Sequence, residues 1–175
     1  MKIIYHCYGG AHSSVTAAAI HLGWLPTDRL PETEDLKKIP YFDRPTAEDH
    51  GHIRFMGDDQ YGNEVFVVGR RNVSSIFEKM AKGLVDIYRP EEKDLVFFDV
   101  MPYVNWMMVL GGFISRKLGI ALIGRPVIMA GVLHSYWQIV SFVQRVKVCT
   151  ASNNRENRNN PIYMDSPRDN IRTAN

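Results

Sequence analysis

Cysteine is nearly absent from this chain of 175 residues: Cys7 and Cys149 are the only two, one near each end. A small secreted fold stapled by disulfides needs more, and the apolar start of MKIIYHCYGG is too short for a secretory signal. The expectation is a reducing cytoplasm, with Cys7 a free thiol. An excess of charge of one sign is also missing. The 21 Lys+Arg against 19 Asp+Glu leave a net charge of +2, which argues for neither nucleic acid nor an anionic membrane as partner. Clean apolar runs of spanning length are lacking too. VMPYVNWMMVLGGFIS is short and carries Pro102 and Asn105. PVIMAGVLHSYWQIVSFVQ is long enough but contains His134, Ser135, Gln138, Ser141 and Gln144. A spanning helix wants about 20 predominantly apolar residues, so both stretches read as buried core. No internal repeat is present.

What remains is an ordinary globular composition, 45% hydrophobic and 23% charged, at a length that suits one domain. Lys2 to Cys7 reads as a short buried strand stopped by Gly9-Gly10. Ser13 or Ser14 suits the cap of a helix through VTAAAIHL that Gly23 would end. Residues 24–50 are rich in proline and charge and predict loops around a short helix. GHIRFMGDDQYGNEVFVVGRR predicts a β-hairpin about a turn-rich centre, in which Asp58 and Asp59 are turn formers. A helix follows from the cap Asn72, then a buried strand DLVFFDV ending at Asp99, then a helix NWMMVLGGFISRKLG closed by Gly119. RPVIMAG is short enough for a third strand, leaving VLHSYWQIVSFVQRVKV as the terminal helix. From Thr150 the chain turns asparagine-rich and poor in large apolar residues, the composition of a disordered tail. The expected fold is therefore α/β: a three-layer-like single domain over 1–149 with a mainly parallel sheet and an added hairpin, followed by a tail over 150–175.

The chemistry concentrates in HCYGGAHSS. After a strand, Gly9 and Gly10 let backbone N–H groups turn toward one point, and the next helix brings the partial positive charge of its N-terminus. Ser13 and Ser14 offer hydroxyls to the same oxygens, and His12 adds charge when protonated. Such a loop suits a phosphate-bearing small molecule. The phosphate loop of nucleoside triphosphatases fits poorly, because aligning His12 with its lysine puts Ala11 and His6 where glycines belong. Asp99, ending an apolar strand, stands where a magnesium-binding acid would, so Mg is expected only if the ligand is a nucleotide.

The same stretch resembles the cysteine-phosphatase signature His-Cys-x-x-Gly-x-x-Arg-Ser/Thr. His6, Cys7, Gly10 and Ser14 match, while Ser13 stands at the arginine position. The resemblance implies Cys7 as the nucleophile toward phosphorus, in a phosphatase-like or thiol-transfer reaction, with His6 or His12 tuning it. The missing arginine removes the bidentate clamp on the phosphoryl oxygens, so a cation must come from elsewhere. Arg116 and Arg125 are the candidates. Arg125 ranks first because it interrupts the apolar run IALIGRPVIM, where a charge needs water, a carboxylate or an anionic ligand. Over residues 1 to about 147, the stretches IYHCYGGAHSSVTAAAIHLG, GHIRFMGDDQYGNEVFVVG, VNWMMVLGGFISRKLG and IGRPVIMAG together resemble a small bacterial family of unknown function known from spore-forming Firmicutes. That resemblance implies a one-domain cytoplasmic protein and carries no activity with it.

Elsewhere the signals favour structure. The pair Gly111-Gly112 weakens a helix by about 1 kcal/mol per glycine, which points to close helix packing or to backbone approach by a ligand, packing being the safer reading. His50 and His52, in EDHGHI, have a spacing that could seat a metal, but two histidines with nearby acids are weak evidence for one and read as surface residues at the start of the hairpin. The functional expectation is an anion site with His12 and Cys7 as catalytic candidates. Gly9, Gly10, Ser13, Ser14 and Arg125 would bind the anion, with Asp99 and Arg116 contributing. The ligand would be a phosphorylated small molecule, with no nucleic acid or membrane as partner. Two alternatives stay open: cysteine catalysis, and binding without turnover.

Overall fold

The structure, a computed structural model, describes residues 1–44, 47–88, 95–117 and 120–156. The chain runs β1 (Lys2–Cys7), α1 (Ser13–His21), α2 (Thr33–Lys38), β2 (Arg54–Asp58), β3 (Glu64–Gly69), α3 (Ser74–Tyr88), β4 (Leu95–Asp99), α4 (Trp106–Gly112), a π turn (Phe113–Lys117) and α5 (Ala121–Glu156). The four strands form one sheet in the order β2-β3-β1-β4. β1 lies parallel to both β3 and β4, while β2 pairs antiparallel with β3. The fold is thus the expected α/β type with a mostly parallel sheet.

Strand alternation divides the interior. Ile3 and Tyr5 of β1, with Val65, Val67, Val96 and Phe98, face α1 and α5 in the larger core. Ile4, Val68 and Phe97 point the other way, where Phe77 and Ala81 of α3 cover them. β1 sits centrally because its residues are apolar on both faces, as a doubly covered parallel strand requires. The chain visits β3 on one side of β1 and then crosses to β4 on the other. The carboxyl end of β1 is therefore the switch point of the sheet, the usual ligand position in open α/β folds.

Two expectations need correction. RPVIMAG is not a strand: it belongs to α5, whose buried residues Ile128, Val132, Tyr136, Ile139, Val143 and Val146 recur at helical spacing. Gly131 misled the reading because it lies in the middle of a helix rather than at a break. A Cβ there would come within 2.9 Å of Asn105 Oδ1 and Met108 N, so glycine is what lets α4 pack against α5. The sheet's third parallel strand is instead the second arm of the hairpin. The helix also continues past Thr150 to Glu156; the rest of the expected tail lies outside the described residues, as does Gly119. Leu122–Ala151 is long and apolar enough to cross a membrane by length and composition, yet more than half of its most apolar stretch is buried within the domain.

Gly23 ends α1 as expected. At φ +75° it follows the cap Leu22, donating to Ile20 O while Trp24 N–H reaches Ala19 O. A buried polar chain then ties α1 to the hairpin. Tyr5 OH lies 2.7 Å from His21 Nδ1, and His21 Nε2 lies 3.1 Å from Asp59 Oδ2. A carboxylate only accepts, so Nε2 carries the proton and Nδ1 accepts from Tyr5. Asp59 also accepts from the N–H groups of Tyr61 and Asn63 and from the Asn63 amide. It is a turn former, as expected, and in addition a buried anchor.

Two predictions follow from this packing. A Cβ on Gly111 would meet Ile128 N at 2.7 Å, whereas one on Gly112 finds only His12 Cε1 at 3.9 Å. Gly111→Ala should therefore destabilise by about 1–3 kcal/mol in urea unfolding, while Gly112→Ala should be neutral or gain up to about 1 kcal/mol. The second concerns pH. Burial pushes the His21 imidazole below its ordinary 6.5, outweighing the hydrogen bond to Asp59, and Lys147 acts in the same direction. Burial pushes the Asp59 carboxyl up, but its hydrogen bonds from Asn63, His21 and Tyr61 prevail and hold it below 3.8. Both groups bind protons less readily folded than unfolded. Their contribution is complete above about pH 6.5 and is lost as pH falls, first through His21 and then through Asp59. The urea midpoint should drop from about pH 7 to pH 5, and His21→Gln should flatten that drop.

Candidate functional site

The loop after β1 is shaped by a close approach of two backbones. β3 continues beside β1 beyond the regular ladder: Arg70 N–H donates to Cys7 O and Arg71 N–H to Tyr8 O. Between them, Gly69 lies against Gly9 and Gly10. A Cβ on Gly10 would stand 2.4 Å from Gly69 N, and one on Gly69 would stand 2.7 Å from Gly9 C. Gly10 adopts φ +64°, a left-handed conformation suited to glycine. This turn sends the Gly10 N–H back onto Cys7 Sγ at 3.2 Å.

Cys7 is 4% exposed. Its sulfur also lies 3.2 Å from Ser14 Oγ, on the first turn of α1. Gly10 and Ser14 thus converge on the thiol, at the N-terminus of a nine-residue helix. Neither serine caps that helix. His12 takes the cap position without a side-chain cap bond, because Ser14 is turned to the sulfur. Ser13 is buried at the same end, and its hydroxyl has no hydrogen-bond partner among the described residues.

His12 is largely buried, its side chain 13% exposed. Its Nε2 donates to Asp43 Oδ1 at 3.1 Å, and Phe42 packs edge-on against the ring. The other oxygen, Asp43 Oδ2, accepts from Arg125 Nε at 2.9 Å. One carboxylate is thereby held between His12 and Arg125 beside the loop. Asp43 is itself tied down, its N–H donating to Ala11 O and its backbone at φ +51°. A non-glycine residue in this left-handed region carries local strain, which the two side-chain contacts help to hold. Arg125 is linked to His12 through this shared carboxylate, and the carboxylate that a charge in an apolar run requires is Asp43.

The other face of the sheet carries a second polar group that includes Asp99. Arg70 donates through Nε to His6 Nδ1 at 2.8 Å and through Nη2 to Asp99 Oδ2 at 2.9 Å. Its Nη1 donates to Arg71 O. Since His6 Nδ1 accepts, Nε2 bears the proton and faces Glu78 Oε1 at 3.2 Å. Asp99 Oδ1 accepts from Met101 N–H. Asp99 is therefore engaged with Arg70, which links it to His6, rather than with the thiol, and His6 turns away from Cys7 along the strand. Arg116 falls in the π turn. Among the described residues, no three His, Cys, Asp or Glu side chains are grouped so as to hold a metal ion.

Reading the sequence did not find Arg70 and Asp43. Arg70 had one usable signal: it closes the hairpin's second arm, and in a parallel pairing with β1 that position falls at the site. Asp43 had none, since FDRP lies in a proline-rich loop far along the chain from both partners. Lysine cannot reach His6, Asp99 and the Arg71 carbonyl together as the guanidinium fork does. Arg70→Lys should therefore destabilise by about 1–3 kcal/mol in urea unfolding, with the smaller change at His6→Asn, which leaves the Arg70–Asp99 pair intact.

Comparison with known families matches residues 2–148 to a family described as Protein of unknown function (DUF3189). No curated protein and no solved structure matches the chain.

Proposed function

The chain belongs to the DUF3189 family, whose function is unknown, and we propose that its β1–α1 loop binds a phosphate-bearing small molecule. The observation that carries this reading is Asp43. The protein's own carboxylate sits between His12 Nε2 and Arg125 Nε at the start of α1, so two donors there already hold an oxyanion. The buried Ser13 hydroxyl, unpartnered among the described residues, and the N-terminal N–H groups of α1 are the further donors this reading draws on. Arg125 is the cation that stands in for the arginine missing at Ser13, reaching the loop from α5 rather than from within it. A reducing bacterial cytoplasm suits a protein whose site is built around a free thiol.

A second reading has its own support. Cys7 Sγ lies beneath the loop, touched by Gly10 N–H and Ser14 Oγ. This fits Cys7 as a nucleophile toward phosphorus, with His12 serving the proton traffic and Asp43 fixing its orientation. In this reading the sulfur must gain access from its present buried position when ligand enters. Binding without turnover is the remaining case.

Inorganic phosphate and a panel of nucleotides and sugar phosphates should raise the melting temperature. The rise should shrink in a Ser13→Ala, Ser14→Ala variant and vanish in Arg125→Gln. Asp43→Asn removes the competing negative charge and should tighten phosphate binding on the order of tenfold in titration calorimetry. Cys7→Ser should retain binding while abolishing hydrolysis of an aryl phosphate, if the cysteine reading holds. No shift with any phosphate compound, or equal shifts in all loop variants, contradicts the proposal.

A further inference from the structure

α3 uses only part of its apolar surface to cover the sheet. Phe77 and Ala81 pack against Ile4, Val68 and Phe97. A second row runs beside them in solvent. Val73, Ile76, Met80, Gly83 and Ile87 follow one another at intervals of three, four, three and four residues, the seven-residue repeat of a seam that packs on another helix. Ile76 is 58% exposed, Met80 62% and Ile87 73%. Large apolar side chains exposed together along one stripe mark an interaction surface. Gly83 adds a second observation, because glycine inside a helix weakens it. Gly111 and Gly131 are required by their own chain, since a Cβ on either would run into the helix packed against it. A Cβ on Gly83 would meet nothing within 4 Å. The domain's own packing does not ask for glycine there. A helix laid along the seam does, because the missing side chain leaves a hole for one of its large residues.

The charges beside the seam select the occupant and its direction. Lys79 and Asp86 are both exposed and stand seven residues apart, so they lie on the same flank of the seam. When two copies of a helix pack antiparallel, like flanks meet; when they pack parallel, opposite flanks meet. An antiparallel pair of α3 helices therefore sets Lys79 of each copy against Asp86 of the other, and two-fold symmetry repeats the contact. In the same register Met80 of each copy falls opposite Gly83 of the other, and Ile76 opposite Ile87. The seam is thus complementary to itself in charge and in side-chain size. We propose that the chain forms a two-fold dimer in which the α3 helices pack antiparallel along this seam. The dimer does not depend on what the β1–α1 loop binds.

The test is sedimentation equilibrium of the full chain over about 1–100 μM, where a monomer–dimer equilibrium is expected. Lys79→Asp and Asp86→Lys should each raise the dissociation constant at least about fivefold, because like charges then face each other. An equimolar mixture of the two variants should recover association, since every facing pair is again of opposite sign. Gly83→Leu fills the hole and should weaken the dimer at least about tenfold. Its melting temperature in dilute solution should not fall, because the chain itself leaves room for the side chain. A chain that stays monomeric throughout overturns the proposal and leaves the seam to a different protein or to another segment of this chain. A dimer that tolerates Gly83→Leu, or that neither charge variant weakens, overturns it as well. So does a mixture that associates no better than either variant alone.

Discussion

The approach of Gly10 to Gly69 sets the geometry of everything around the thiol. Only because neither residue carries a Cβ does the loop after β1 lie flat against the end of β3. That contact turns the Gly10 N–H onto Cys7 and starts α1 where Ser14 meets the sulfur. It also extends the pairing of β1 and β3 far enough to bring Arg70 beside His6. Two glycines distant in sequence thus fix the floor of the candidate site and the polar group on the opposite face of the sheet.

Around that floor, charge is arranged in two separate layers. On the α1 face, His12 and Arg125 share the Asp43 carboxylate. On the α3 face, Arg70 joins His6 to Asp99, with Glu78 behind. Both lie at the carboxyl ends of the parallel strands, the usual ligand position in open α/β folds. The α3-side group is centred on the buried His6 and Arg70, and acts as a brace. The α1-side group holds a carboxylate next to a helix N-terminus and a hydroxyl unpartnered among the described residues, and it is the group on which the proposed anion site rests.

Much of this was legible in residue patterns. The buried β1, the hairpin arms, the strand ending at Asp99 and the glycine stop of α1 all follow from local periodicity and turn chemistry. So does the convergence of glycines, serines and Cys7 in one loop. What local pattern could not carry was long-range pairing. Asp43 meets His12 and Arg125 only through the tertiary fold, and Arg70 reaches His6 only through strand register. RPVIMAG misled for a related reason. A short apolar run fits strand or helix, and Gly131 reads as a break until the partner helix that needs it is in place.

The most direct measurement of the central claim is a crystal structure grown in phosphate or sulfate. The account predicts an oxyanion at the start of α1, contacting Ser13 Oγ and the His12–Arg125 pair, with the Asp43 carboxylate displaced. An empty loop with Asp43 still bridging His12 and Arg125, or an anion bound only at the Arg70 side of the sheet, would contradict it.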